Sequence, residues 1–225
     1  MTDQPIDAAE SVIVDTDDDP GDEIVLPWWQ RPSNIVILVV TGALIAGMIG
    51  WLIADSTNDV GSSEVDVGFL QDMSEHHRQA VDMSFSFLNR PDTDPRLQTV
   101  ARSIIFEQSV EVGLMLQLLA EMDAPAVADD GQAMAWMGHA MDSSEMPGMA
   151  TEAQLDELAS AEGAAADELF VELMSAHHQG GIDMATEAAG RADNGDVRRF
   201  ADSWARNQQA EIVELEGLLD DDSAD

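Results

Sequence analysis

The sequence predicts an all-α protein: a four-helix bundle over residues 66–225, made of two repeated helical hairpins and preceded by a single transmembrane helix at residues 34–54. Three observations predict it. "FLQDMSEHHRQAVDM", residues 69–83, aligns with "FVELMSAHHQGGIDM", residues 170–184, at a constant offset of 101, and residues 101–112 match 201–212 at an offset of 100. Beyond residue 66 the chain is dominated by Ala, Leu, Met, Glu and Gln, with apolar residues three and four apart and no strand-type alternation. Asn34–Ala54 carries no charge over 21 residues, which at ~1.5 Å per residue spans the roughly 30 Å hydrocarbon core of a bilayer.

Residues 1–33 read as a disordered cytoplasmic tail. They are rich in Asp and Glu around "DTDDDPGDE" and hold too few large apolar residues to offset the entropy of ordering. Trp28, Trp29 and Trp51 sit where interfacial aromatics belong. A cleaved signal peptide fits less well, because the leading segment is long and acidic and "WLIADST" is a poor cleavage site. Arg31 is the single positive charge near the span, so the positive-inside rule puts the N-terminus in the cytoplasm and the C-terminal domain outside a cell membrane crossed once. Gly42, Ala46 and Gly50 form a candidate packing face, which leaves homo-oligomers open.

A linker at 55–65 leads to the bundle domain. Its first helix is expected over 66–89, ending before Pro91. The second begins at Asp94-Pro95, an N-cap followed by proline at the first helical position, and runs to about 122. A Met-rich loop follows at 130–150. Thr151 to Gln154 is a capping-box pattern that opens a short helix. Long helices over 163–190 and 196–219 complete the repeat.

The formal charge of −36, with nine basic residues that are all arginine, excludes nucleic acid and anionic surfaces as partners. No cysteine is present, so thiolate ligands and cysteine nucleophiles are excluded. Any metal must be held by His, Met, carboxylate or backbone groups.

The seam of the first helix reads Phe69, Met73, His76, Ala80, Met83, Phe87, and that of the third long helix Phe170, Met174, His177, Gly181, Met184, Ala188. The first histidine of each pair falls on the inner stripe between two methionines, with His77 or His178 at its edge. The other two helices place Gln108 and Glu111, and Gln208 and Glu211, in apolar seams. A buried carboxylate needs a donor or a cation, and the inward histidines are the expected partners. Met73, His76, His77, Met83 and Met174, His177, His178, Met184 are therefore candidate metal ligands, with Gln108, Glu111, Gln208 and Glu211 around them. The loop offers Met137, His139, Met141, Met146 and Met149 as further candidates. Carboxylate-bridged di-iron bundles carry Glu-x-x-His on two helices. Here Met-x-x-His stands in its place, at Met73/His76 and Met174/His177. A soft thioether for a hard carboxylate moves the preference toward copper, Cu(I) above all, and ranks zinc and iron lower.

These segments resemble the bacterial domain of unknown function 305 family, a group of ferritin-like bundles. The resemblance covers residues 66–220 and rests on the two M-x-x-H-H-x5-M segments, on Gln108–Val112 and Gln208–Ile212 as Q-x-x-E-[VI], and on "MPGM" at 146–149. It implies a ferritin-like fold, a secreted or membrane-anchored setting and, since some members are associated with copper, copper handling. The Met-rich loop here has fewer histidines than the most metal-adapted relatives. The expected function is a membrane-anchored, extracytoplasmic copper-binding protein that sequesters or transfers the metal without catalysing a reaction. The alternative is a structural or interaction bundle whose His/Glu/Gln layer fixes helix register. A redox enzyme ranks last, because no catalytic motif is present and no catalytic residue is assigned.

Overall fold

The computed structural model describes residues 40–48, 62–128 and 131–222, and the chain divides into two compact units, Met1–Asn58 and Asp59–Asp225. The predicted tail (1–33) and most of the predicted span (34–54) and linker (55–65) lie outside the described residues. Within the span, α1 (residues 40–48) is helical, with Val40, Leu44, Ile45 and Met48 exposed.

The second unit is all-α, as the repeat predicts. It contains α2 (Glu64–Leu88), α3 (Pro95–Glu121), the short α4 (Glu152–Ser160), α5 (Gly163–Arg191) and α6 (Gly195–Asp222). Side-chain caps set four of the starts, Asn194 capping α6 by accepting from Asp196 N–H and Val197 N–H. Ser63 and Asp66 close a capping box on α2, Asp94 caps α3 with Pro95 inside its first turn, and Thr151 and Gln154 close the expected box on α4. Helix α5 starts without a side-chain cap, at Gly163 with φ +57°.

Helices α2 and α3 form one hairpin, α5 and α6 the other, and the hairpins join mainly through α2 against α5. Helix α3 is apolar and long enough to cross a membrane, the one such helix among the described residues. It instead lies along α2 and turns buried Gln108 and half-buried Glu111 inward, the pattern of a bundle helix.

Two apolar clusters fill the interior. One holds Met73, Met115, Met146, Met184, Phe69 and Trp204; the other holds Met83, Met174, Phe87, Phe170, Ile104 and Leu215. Phe87 and Phe170 stack across the hairpins with centroids 4.2 Å apart. The pairing of Met73 with Met184 and of Met83 with Met174 shows that α2 and α5 run antiparallel, with their histidines between the clusters.

The Met-rich loop is more packed than its composition suggests. A minimal antiparallel ladder, β1 (Gln132–Ala133) with β2 (Met141–Asp142), brackets a turn of 3-10 helix at Ala135–Met137. Met134, Trp136 and Met146 are buried. Asp72 of α2 anchors the loop by accepting from Met134 N–H and from the Trp136 indole N–H, both at 2.8 Å. Burial raises the Asp72 carboxyl pKa above its ordinary range, and these two donors pull it back down. Gly68 is what lets the indole approach: a Cβ there would lie 2.6 Å from Trp136 Cδ1.

Candidate metal centre

The four histidines of the repeat converge at mid-bundle, and all four are fully buried. Consecutive helical residues point about 100° apart. Because α2 touches both α5 and α3, His76 faces α5 while His77 faces α3. In the second hairpin His177 faces α2 and His178 faces α6. The second histidine of each pair is thus interior and not at an edge, since the partner helix of its own hairpin covers it.

The partners also differ from the expected ones. His77 Nε2 lies 2.8 Å from Glu111 Oε2, and His178 Nε2 lies 2.6 Å from Glu211 Oε2. It is the second histidine that meets the glutamate. The first histidines meet each other: the His76 and His177 rings stack with centroids 3.7 Å apart and a tilt of 30°. His76 Nε2 is also 3.0 Å from the Pro147 carbonyl oxygen. His177 comes near the His76 backbone without a hydrogen bond of ordinary geometry, so neither of its ring nitrogens has a partner.

Burial pushes His76 down to about 3, partly opposed by the Pro147 carbonyl, and pushes His77 down to about 3 with help from His178. Burial and the neighbouring His76 hold His177 well below its ordinary value. Glu111 is raised to about 7, first by burial and then by Glu211; a hydrogen bond from Asn207 works against this. The two carboxylates are close enough to repel, and the Glu211 charge acts on His77 as well, so the two His–Glu pairs form one electrostatic unit.

At neutral pH His76, His77 and His177 are neutral imidazoles, the form that ligates metal. The Nδ1 atoms of all four histidines are buried without a hydrogen-bond partner, as are His177 Nε2, Gln108 Oε1 and both amide atoms of Gln208. Buried polar atoms are rarely left unpaired, so this layer has unused donor capacity. Among the described residues no three His, Asp or Glu side chains are gathered to hold an ion by themselves. Thioethers flank the layer, Met73 and Met184 on one side and Met83 and Met174 on the other, and either pair could complete a donor set. Two stacked rings do not aim their lone pairs at one point. One must turn, and His177 is the ring with no hydrogen bond to lose. Imidazole with thioether is a soft donor set, suited to copper and in particular to Cu(I).

Of the loop candidates, Met146 is buried in the cluster with Met73 and Met184, Met137, Met141 and Met149 pack against that cluster half-buried, and His139 is exposed. The structure does not bring His139 to the histidine layer. Sequence reasoning missed Pro147, Gln79 and Gly180. Pro147 acts through a backbone carbonyl, which leaves no side-chain signal. Gln79 and Gly180 occupy equivalent positions in the two repeats, and that mismatch was the available clue. Asn207 had no signal, as its repeat counterpart is Glu107.

The family model of the domain of unknown function DUF305 matches residues 66–219. No curated protein matches. Among solved structures, a DUF305 protein from Streptomyces coelicolor superposes with a TM-score of 0.64 at 36% identity, over 70% of this chain and 93% of that one. A DUF305 fragment from Deinococcus radiodurans gives 0.60 at 26% identity, over 71% and 97%. CopM in its Cu(II)-bound form gives 0.53 at 28% identity, over 69% and 96%, and CopM is also known in Cu(I)- and Ag-bound forms. With its bundle, its duplicated histidine layer and the family model covering most of its length, this chain belongs to the DUF305 family.

Proposed function

We propose that this chain is a membrane-anchored, extracytoplasmic copper-binding protein that sequesters the metal or passes it on. The observation that carries the reading is the layer of fully buried histidines with unpartnered Nδ1 atoms, set between Met73/Met184 and Met83/Met174. The bundle it shares with CopM, a protein seen with Cu(I), Cu(II) and Ag, supports copper over harder metals. Anchoring is supported by the charge-free run at 34–54 and the exposed apolar side chains of α1. The orientation follows from Arg31 as the lone flanking positive charge. A cleft of about 190 Å³ between α3 and α6, lined by Glu107, Asn207, Glu211 and Glu214, offers a cation an approach to the layer.

The second reading, a structural bundle with a polar layer, is favoured by the His77–Glu111 and His178–Glu211 hydrogen bonds, which would fix helix register without any metal. Titration of the purified full chain with Cu(I) under reducing conditions separates the two. Saturable binding that disappears in His76→Ala/His177→Ala supports the copper centre. Binding unchanged by that double substitution defeats the site assignment, and no saturable binding at all favours the structural layer.

A further inference from the structure

The two histidine helices diverge immediately after their paired histidines: Arg78-Gln79-Ala80 in α2 stands where α5 has Gln179-Gly180-Gly181. The segment Met146–Ala150, which has no copy in the repeat, accounts for the difference. Gln79 holds its far end, donating from Nε2 to Ala150 O at 2.9 Å and accepting from Ala150 N–H at 2.7 Å. Gly180 admits its near end, since a Cβ there would stand 1.9 Å from the Pro147 carbonyl oxygen. Gly148, with φ +80°, presses back on α5, where a Cβ would lie 2.4 Å from Ala176 O and 2.9 Å from His177 Cα. The strap is thus seated on both histidine helices at the level of the stacked rings.

Its seating delivers the Pro147 carbonyl to His76 Nε2 at 3.0 Å. A carbonyl oxygen can only accept, so the His76 proton resides on Nε2 and Nδ1 carries the free lone pair. His177, stacked on the same ring, has no equivalent partner on either nitrogen. We propose that the Pro147–Ala150 strap is a positioning element that fixes His76 as its Nε2–H tautomer and thereby makes His76 Nδ1 the atom that binds the soft metal ion. This inference rests on the copper reading for its second half; the tautomer stands without it. The pseudo-symmetric layer then contains one imidazole held in place and one, His177, free to turn toward the ion. Outer partners of this kind orient a ligating histidine and raise its basicity, and their loss typically costs about 10–100-fold in metal affinity.

The test is long-range 1H–15N NMR on the full chain in detergent, labelled with 15N-histidine, with His76 assigned by His76→Gln and Ag(I) as a redox-inert probe. The expected apo spectrum shows His76 as a single Nε2–H tautomer. Ag(I) then shifts Nδ1 while Nε2 keeps its proton. Gly180→Ala, which displaces the Pro147 carbonyl, is expected to mix the tautomers and weaken Ag(I) binding by about 10–100-fold. Gln79→Ala frees the other end of the strap without touching α5 and serves if Gly180→Ala does not fold. Gly181→Ala, whose nearest neighbours are atoms of the Gln208 amide and not of the strap, should leave the His76 tautomer unchanged. An Nδ1–H tautomer in the apo protein, silver at Nε2, or a tautomer insensitive to both strap variants overturns the proposal. Nε2–H on His76 with no silver shift on any histidine overturns the copper reading and the donor assignment with it, while leaving the strap's hold on the tautomer intact.

Discussion

His76 and His177, equivalent residues of the two repeats, lie ring on ring, 3.7 Å between centroids, where α2 packs against α5. Both are fully buried, and no carboxylate is hydrogen-bonded to either ring. Neutral stacked imidazoles make a weak structural contact but present lone pairs to a soft cation. The same geometry leaves buried ring nitrogens of the layer without hydrogen-bond partners.

The first expected outcome concerns the sulfur ligands. Met→Leu exchanges in a core usually cost less than about 1.5 kcal/mol, because volume is retained. Met73→Leu/Met184→Leu and Met83→Leu/Met174→Leu should therefore both fold, and only the pair on the side that holds the ion should lose Cu(I) affinity. Cu(I) titration of the two double variants identifies that side. Equal, unchanged affinity in both would remove the thioethers from the site.

Ligand binding to the folded state should also appear as heat resistance. Free Ag(I) or Cu(I) at about 100 times Kd adds roughly 2.7 kcal/mol, which for a domain of this size raises Tm by about 5–10 °C. Differential scanning fluorimetry with and without metal reads this directly. No shift at saturating metal would instead match a purely structural layer.

Adjacent glycines in α5 should respond differently to the same added methyl. Gly180→Ala places a Cβ against the Pro147 backbone and should destabilise by about 1–3 kcal/mol. Gly181→Ala meets the end of the Gln208 side chain, 2.2 Å from Oε1, which can swing away. There the gain in helix propensity, up to about 1 kcal/mol, offsets the crowding. Urea unfolding of the two variants should separate them by more than their shared propensity gain.

Stability of the apo protein should fall in acid. His76 and His77 titrate near 3 in the folded state against an ordinary 6.5, and His177 is lowered in the same direction. Above 6.5 both folded and unfolded chains are neutral at these positions. Between 6.5 and about 3 the unfolded chain takes up protons that the folded one refuses, so each histidine removes about 1.4 kcal/mol per pH unit. Glu111, raised from 4.5 to about 7, acts oppositely between those values and offsets one histidine. The net slope is a loss below 6.5 that steepens below 4.5. Urea midpoints across this range should show it, and His76→Leu/His177→Leu should flatten it; an unaltered slope in that variant would assign the acid sensitivity elsewhere.

The loop anchor gives the last outcome. Asp72→Ala orphans the Met134 N–H and the Trp136 indole N–H, each costing about 1–3 kcal/mol if left buried and unpaired. The loop should loosen before the bundle does, with Trp136 exposure and proteolysis near residue 136 rising while far-UV helicity holds.

Much of this molecule is written locally. The repeat, the three-and-four spacing, Asp94-Pro95 and Thr151 to Gln154 place the helices and two of their starts, because helix periodicity and capping depend on residues within a turn of one another. The mid-bundle layer of His, Gln and Glu is legible for the same reason: polar residues recur at matching seam positions in both halves. The sequence alone thus determined an all-α repeat with a duplicated buried polar layer beside methionines. Tertiary structure decided which histidine meets a glutamate, because a residue on a helix flanked by two neighbours is interior over a wide arc, and only helix placement says which neighbour it faces. It also decided that Pro147 serves His76. That contact joins residues 71 apart through a carbonyl every amino acid possesses, so no choice of side chain at position 147 could announce it.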